Sequence, residues 1–154
     1  PNIVRRLAAT ANTLLESASY FRFFHFAGHC RLAPTSPWDS HLRLANGKTV
    51  NVEDVLVSRP RADLVVLNGC ETGARAGRVA LFAFGLAEAF LVVGSNSVFA
   101  TSRLVKDRDA LDIVESFYEN DGLAQPAEAL RRALVAARDA GSTEWSAFRV
   151  VGRR

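Results

Sequence analysis

The sequence contains no methionine, only two cysteines and no apolar run long enough to cross a membrane, and each shortage narrows what the chain can be. With no methionine, and with Pro1 as its first residue, the chain is expected to be a piece of a longer protein. Cys30 and Cys70 cannot make the disulfide framework of a small secreted domain, and no signal-like segment is present, so a reducing, cytoplasmic setting is expected. The longest mainly apolar run, VALFAFGLAEAFLVVG, holds 16 residues and includes Glu88, whereas a transmembrane helix needs about 20. It predicts a buried helix and no membrane partner. Formal net charge is only +3, from 19 Lys and Arg against 16 Asp and Glu, and basic residues are scattered apart from the pairs Arg5-Arg6, Arg131-Arg132 and Arg153-Arg154. No basic stripe interleaved with aromatics occurs, which argues against nucleic acid as a partner. No internal repeat and no low-complexity tract is found.

What is present fits one soluble domain: 154 residues, 49% hydrophobic and 23% charged, enough to bury a real core. Ile3, Leu7, Ala11, Leu14 and Leu15 share a helical face over residues 2–17. YFRFFHFA (20–27) has the aromatic density of a strand. Residues 31–51, rich in Pro, Ser, Asn and Gly, predict a loop region in which HLRL (41–44) alternates as a short edge strand does. Residues 52–57 predict one or two helical turns. ADLVVLNGC (62–70) is a second buried strand, parallel to the first. The helix over 79–93 is closed by Gly94 as C-cap. NSVFATS (96–102) supplies a third strand. Asp107 is placed as the N-cap of a helix whose Ala110, Leu111, Val114, Phe117 and Tyr118 share a face. Pro126 starts the last helix, with Ala127, Leu130, Leu134 and Ala137 inward. WSAFRVV (145–151) is a final strand. Alternating strands and helices predict a three-layer α/β fold with a mainly parallel sheet flanked by helices.

His29 and Cys70 each follow a predicted core strand, so in a parallel sheet both emerge at the carboxyl edge, where such folds bind ligands. A thiol is a poor nucleophile until it loses its proton, and an imidazole within reach can take that proton and return it to the leaving group. The spacing by itself leaves the bland alternative open, a buried small hydrophobe and a satisfied strand-end histidine. His25, inside the strand, reads as a core or near-core histidine. His29, Cys30 and Cys70 lack a fourth metal ligand, and no Cys-x-x-Cys pair supplies one, so no metal is expected.

Four segments, FHFAGHC, ADLVVLNGCETG, GLAEAFLVVGSNSVFATS and ALRRALVAAR, together resemble the CHAT domain, a branch of the caspase-like cysteine peptidases related to caspases and separase. The resemblance covers about residues 10–152, and CETG preceded by DLVVL is its most specific part. It implies a caspase-like fold, a cysteine endopeptidase without cofactor or metal, and a protein or peptide substrate. It implies Cys70 as nucleophile, His29 as general base and acid, and the backbone N–H groups of Cys30 and Cys70 as the oxyanion hole. It further implies a place behind helical repeats in a longer bacterial protein, with a role in regulated proteolysis of the defence or cell-death kind.

Three departures accompany the resemblance. Cys30 stands where the family usually has Gly, and if that glycine serves a positive φ, Cys30 is strained by about 1 kcal/mol or more. TSRLVKD (101–107) carries Arg103-Leu104 in place of the family's Trp, while Asp107 keeps the acidic position. The relatives' first strand and helix have no counterpart, so a helical-repeat domain or partner chain is expected to supply them. Asp107 is a candidate for lining a pocket for a basic P1 side chain, with the helix N-cap as its structural alternative. Trp38 is a candidate cleft wall or a docking residue for a neighbouring domain, and Glu71 either orients the site or caps the following turn. Cys30 and Cys70 are expected to form a disulfide under oxidation, against the alternative that Cys30 has no redox role. The rival to a peptidase is an inactive caspase-like binding domain; a hydrolase of non-peptide substrates ranks below both.

Overall fold

The computed structural model describes residues 11–31, 37–69 and 85–152. In chain order the elements are α1 (Ala11–Tyr20), β1 (Phe23–Ala27), β2 (Cys30–Arg31), β3 (His41–Arg43), β4 (Thr49–Asn51), α2 (Val52–Ser58), β5 (Leu64–Asn68), α3 (Leu86–Val93), β6 (Ser97–Thr101), α4 (Asp107–Glu119), α5 (Pro126–Asp139) and β7 (Phe148–Gly152). The main sheet has the order β1-β5-β6-β7. Its first three strands are parallel and β7 runs antiparallel to β6.

Burial follows from strand position. Every residue from Leu64 to Leu67 in central β5 is buried, because both faces of a parallel sheet are covered. β1 lies at the edge among the described residues and alternates, with Phe24 and Phe26 buried and Phe23, His25 and Ala27 exposed. One face packs Phe24, Phe26, Val65, Leu67 and Val98 against α1, α2 and α3. The other packs Leu64, Val66, Phe99 and Phe148 against α4 and α5. This is the three-layer, mainly parallel architecture expected from the sequence, and it is consistent with a caspase-like fold. No helix among the described residues is long and apolar enough to cross a membrane.

Local chemistry sets the boundaries. Asn51 Oδ1 accepts from the Asp54 N–H at 2.8 Å while the Asp54 carboxylate accepts from the Asn51 N–H at 2.9 Å, a reciprocal cap that starts α2. Arg59 ends it in the left-handed region at φ 49°, with Pro60 barring continuation. Gly94 ends α3 at φ 122° as expected, a conformation that disfavours a Cβ.

Several expectations are corrected. The 31–51 region holds more strand than expected: the short strand read at 41–44 is β3 (His41–Arg43), but it is the central strand of a three-stranded antiparallel sheet with β2 and β4, not an edge. Its two- and three-residue partners are too short to display a period of two. Asp107 is not an N-cap. Lys106 occupies that position, no side chain caps it, and Asp107 is the first helical residue, where a carboxylate is favoured by the helix dipole. In α4 the core takes Ile113, Val114 and Phe117, and Leu111 is 52% exposed. In α5 the buried residues are Ala129, Leu130 and Ala133, and Ala127 is exposed; small residues at the contact let α5 approach closely. Trp145–Ala147 is a 3-10 turn ahead of β7, and residues 20–22 precede β1. The predicted helical residues 2–10 and 79–84 lie outside the described residues.

Candidate active site

The carboxyl ends of β1, β5 and β6 open on a cleft of about 280 Å³. Ala27, Gly28 and His29 enter it from β1, Asn68 and Gly69 from β5, and Thr101 from β6. The opposite wall is Val105 from the loop after β6 and Asp107, Ala110 and Leu111 from α4.

Two features fix the backbone here. Gly28 donates its N–H to the Asn68 carbonyl at 3.1 Å, carrying the β1–β5 pairing past the strand end. A Cβ at Gly28 would meet the Phe26 ring at 2.8 Å, so the Ala-Gly-His step needs glycine. Thr101 Oγ1 donates to the Gly69 carbonyl at 2.7 Å in a buried position. Thr101→Val is expected to cost about 1–3 kcal/mol by stripping that carbonyl of its hydroxyl donor, read as a fall in Tm.

The register is the informative quantity. Residue i of β1 stands beside residue i + 41 of β5 at every position from Phe23↔Leu64 to Ala27↔Asn68. His29 and Cys70 are separated by the same 41 residues. His29 is exposed and lines the cleft; Cys70 and Glu71 lie outside the described residues, and with them the expected Cys30–Cys70 disulfide.

Cys30 is not strained. Positive φ among non-glycine residues occurs only at Arg59 and Asp121 within the described chain, and Cys30 sits in β2 opposite Leu42. Arg43 donates its N–H to the His29 carbonyl at 2.8 Å, which makes His29/Arg43 a hydrogen-bonded pair and Cys30/Leu42 the following non-hydrogen-bonded one. The Cys30 N–H is therefore directed away from β3.

His25 lies four residues before His29, inside β1, and is not among the described residues lining the cleft. Its Nδ1 is hydrogen-bonded to the Tyr118 hydroxyl at 3.1 Å. The ring keeps part of its surface in water, yet packing beside Tyr118 removes enough solvent to disfavour the charged form, and its pKa falls below 6.5. Burial pushes the Tyr118 hydroxyl up to about 12. An unfolded chain therefore binds a proton at His25 more readily than the folded one, so stability falls as pH drops through about 6.5 toward the lower folded value. His25→Gln is expected to flatten the acid limb of Tm against pH; an unchanged limb would assign it to other groups.

Arg103, found where the resemblance expects Trp, fastens the cleft's outer loop. Its guanidinium pairs with Glu144 and donates to the Thr143 carbonyl at 3.0 Å. Ser102 donates from both N and Oγ to the Ala147 carbonyl, at 2.8 and 3.0 Å. Trp38 is 53% exposed in a 3-10 turn before β3 and is not among the described residues lining the cleft. Thr101, Asn68 and Val105 were not singled out from sequence, although Thr101 ends the third predicted strand and its position could have marked it. No cluster of three or more His, Cys, Asp or Glu suited to a metal occurs among the described residues.

A family model, the CHAT domain, matches residues 3–153. No curated protein matches the chain. The chain belongs to the CHAT domain family, which is caspase-like.

Proposed function

We propose that this CHAT domain is a cysteine endopeptidase working through Cys70 and His29. The observation that carries the reading is the β1–β5 register, constant at i + 41 up to the edge of a cleft that His29 lines. His29 and Cys70 are separated in sequence by the same 41 residues, which supports reading them as a pair. In the reaction His29 takes the Cys70 proton and the thiolate attacks the peptide carbonyl carbon. The oxyanion formed is held by the N–H groups of Cys30 and Cys70, at about 3 kcal/mol per donor. As the C–N bond breaks, His29 gives its proton to the leaving amine, and a water activated by His29 then hydrolyses the thioester. Neither metal nor organic cofactor enters any step.

Substrate choice belongs to the side chains on both walls of the cleft. Ala27, Val105, Ala110 and Leu111 present apolar surface and Asp107 a carboxylate, which suits a P1 side chain with an aliphatic stem and a cationic head. Asp107→Asn is expected to lower kcat/KM for an Arg-P1 peptide about tenfold, with the exposure of Asp107 holding the effect to roughly one charge-assisted hydrogen bond. An Arg-to-Leu P1 preference that survives the substitution would leave Asp107 as a first-turn residue only. The wider context proposed is proteolysis of a protein substrate in the cytoplasm of a bacterium, in defence or cell-death signalling, with a helical-repeat domain or partner chain alongside.

The test is labelling with acyloxymethyl-ketone peptides carrying basic, acidic or apolar P1 residues, read by intact mass on this chain and on Cys70→Ala. The reading expects one adduct, favoured for basic P1 and absent from Cys70→Ala. A folded chain that takes no adduct from any peptide would favour the inactive binding domain.

A further inference from the structure

The small sheet extends the cleft, and the extension is basic. His29 and Arg43 are direct cross-strand neighbours through the Arg43 N–H to His29 carbonyl bond, so their side chains leave the same side of the sheet. On that side Arg31 stands opposite His41, His41 opposite Asn51, and Arg43 opposite Thr49. The other side carries Leu42 and Val50, both fully buried, with Cys30 packed against them. A face that begins at the cleft histidine thus continues across Arg31, His41 and Arg43.

Its charge is unbalanced. Arg31, Arg43 and Lys48 are exposed, and Asp39 is the only acidic residue between Gly28 and Asn51. Arg22, Arg103, Arg131, Arg132 and Arg138 all pair with carboxylates. Arg31 and Arg43 have no such pair among the described residues. They occupy diagonal positions on neighbouring strands, about 7 Å apart, which matches the spacing of alternate side chains in an extended peptide.

We propose that this face is an exosite for an acidic segment of the polypeptide substrate, with carboxylates at alternate positions engaging Arg31 and Arg43 beside the scissile bond. The inference rests on the cleft being peptide-binding. A protein segment is favoured over nucleic acid because the strands' outer face carries no Phe, Tyr or Trp among the described residues as a stacking platform for bases, and over a membrane because it offers no apolar surface to insert.

The test is fluorescence anisotropy on Cys70→Ala, so that binding is read without turnover, using a short fluorescein-labelled peptide with Glu at alternate positions and its Gln counterpart. At low salt the Glu peptide is expected to bind about tenfold tighter than the Gln peptide, weakening as salt rises. Arg31→Gln/Arg43→Gln abolishes that preference and Arg31→Lys/Arg43→Lys retains most of it, which separates lost charge from lost fold. Equal binding of the two peptides, a preference that survives the Gln double variant, or tighter binding of a single-stranded oligonucleotide or an anionic phosphatidylserine vesicle would overturn the proposal. Binding of the Glu peptide by a chain whose Cys70 takes no label would uphold the exosite and remove the peptidase. Cleavage indifferent to the acidic flank would do the reverse.

Discussion

His29→Ala is expected to lower kcat for peptide hydrolysis by about a thousandfold while leaving Tm within a degree or so. The large effect follows from the double duty proposed for the imidazole, removing the thiol proton and then protonating the leaving amine, each worth about 10²–10⁴ in rate. The small effect on stability follows from exposure: the side chain lines an open cleft rather than the core. His25→Ala separates this from a general histidine effect. His25 faces Tyr118, so its loss is expected to alter stability and leave kcat within a few-fold. Progress curves with one basic-P1 peptide and thermal melts of the three proteins make the comparison. Equal losses of rate in both variants would point to a folding defect and not to proton transfer.

Phe99→Ala is expected to cost about 4 kcal/mol, among the largest effects of any single truncation in the chain. Phe99 is fully buried and its ring lies 5.0 Å from that of Phe117 in α4 and 5.9 Å from that of Phe148 in β7. The cavity left behind loses both aromatic contacts as well as the transfer energy of the ring. For a domain of this size the change corresponds to a fall in Tm of about 10 °C. The consequence reaches function through α4, since the helix seated on Phe99 by Phe117 also carries Asp107, Ala110 and Leu111 into the cleft. P1 selectivity is therefore expected to relax in the surviving folded fraction. Phe99→Leu keeps most of the volume and should lose under half as much. A Phe99→Ala protein melting within about 3 °C of the parent would show that the sheet and α4 are not coupled through this contact.

Where the sequence was legible, one strong physical signal dominated. LVVL in β5 is apolar without interruption because both faces are covered, and that needs no tertiary knowledge; β1 reads from sequence as an equally buried strand, yet only Phe24 and Phe26 are inside, because it lies at the sheet edge among the described residues. Pro126 at the first turn of α5 and Gly94 after α3 mark ends by backbone restriction alone. Of the small sheet only β3 showed, through the alternation of HLRL; β2 and β4 are too short to carry a period, and their register is fixed by cross-strand bonds such as Arg43 to His29. Helix faces slipped where alanine was the guide: Ala127 and Ala129 are alike in hydropathy, and only the close approach of α5 decides which is inside. His29 could be placed at a strand end from pattern, and its pairing with Cys70 came from family resemblance. The remaining cleft residues, Thr101, Asn68 and Val105, are ordinary in type and become site residues only through the coincidence of three strand ends. The basic face was invisible for the same reason, since Arg31 and Arg43 are twelve positions apart in sequence and meet only in the β2–β3 ladder.

The central claim is that His29 and Cys70 act as one chemical unit, and the rate of iodoacetamide alkylation of each cysteine against pH tests it most directly. With modified residues assigned by peptide mass, Cys70 is expected to react at least about tenfold faster than Cys30 near neutral pH, its thiol pKa held below the usual 8.5 by the imidazole. In His29→Gln that advantage should shrink, with the Cys70 profile moving toward 8.5. A Cys70 that reacts no faster than Cys30, on a profile indifferent to His29, would contradict the dyad and leave the chain a caspase-like fold that retains the residues without the reaction.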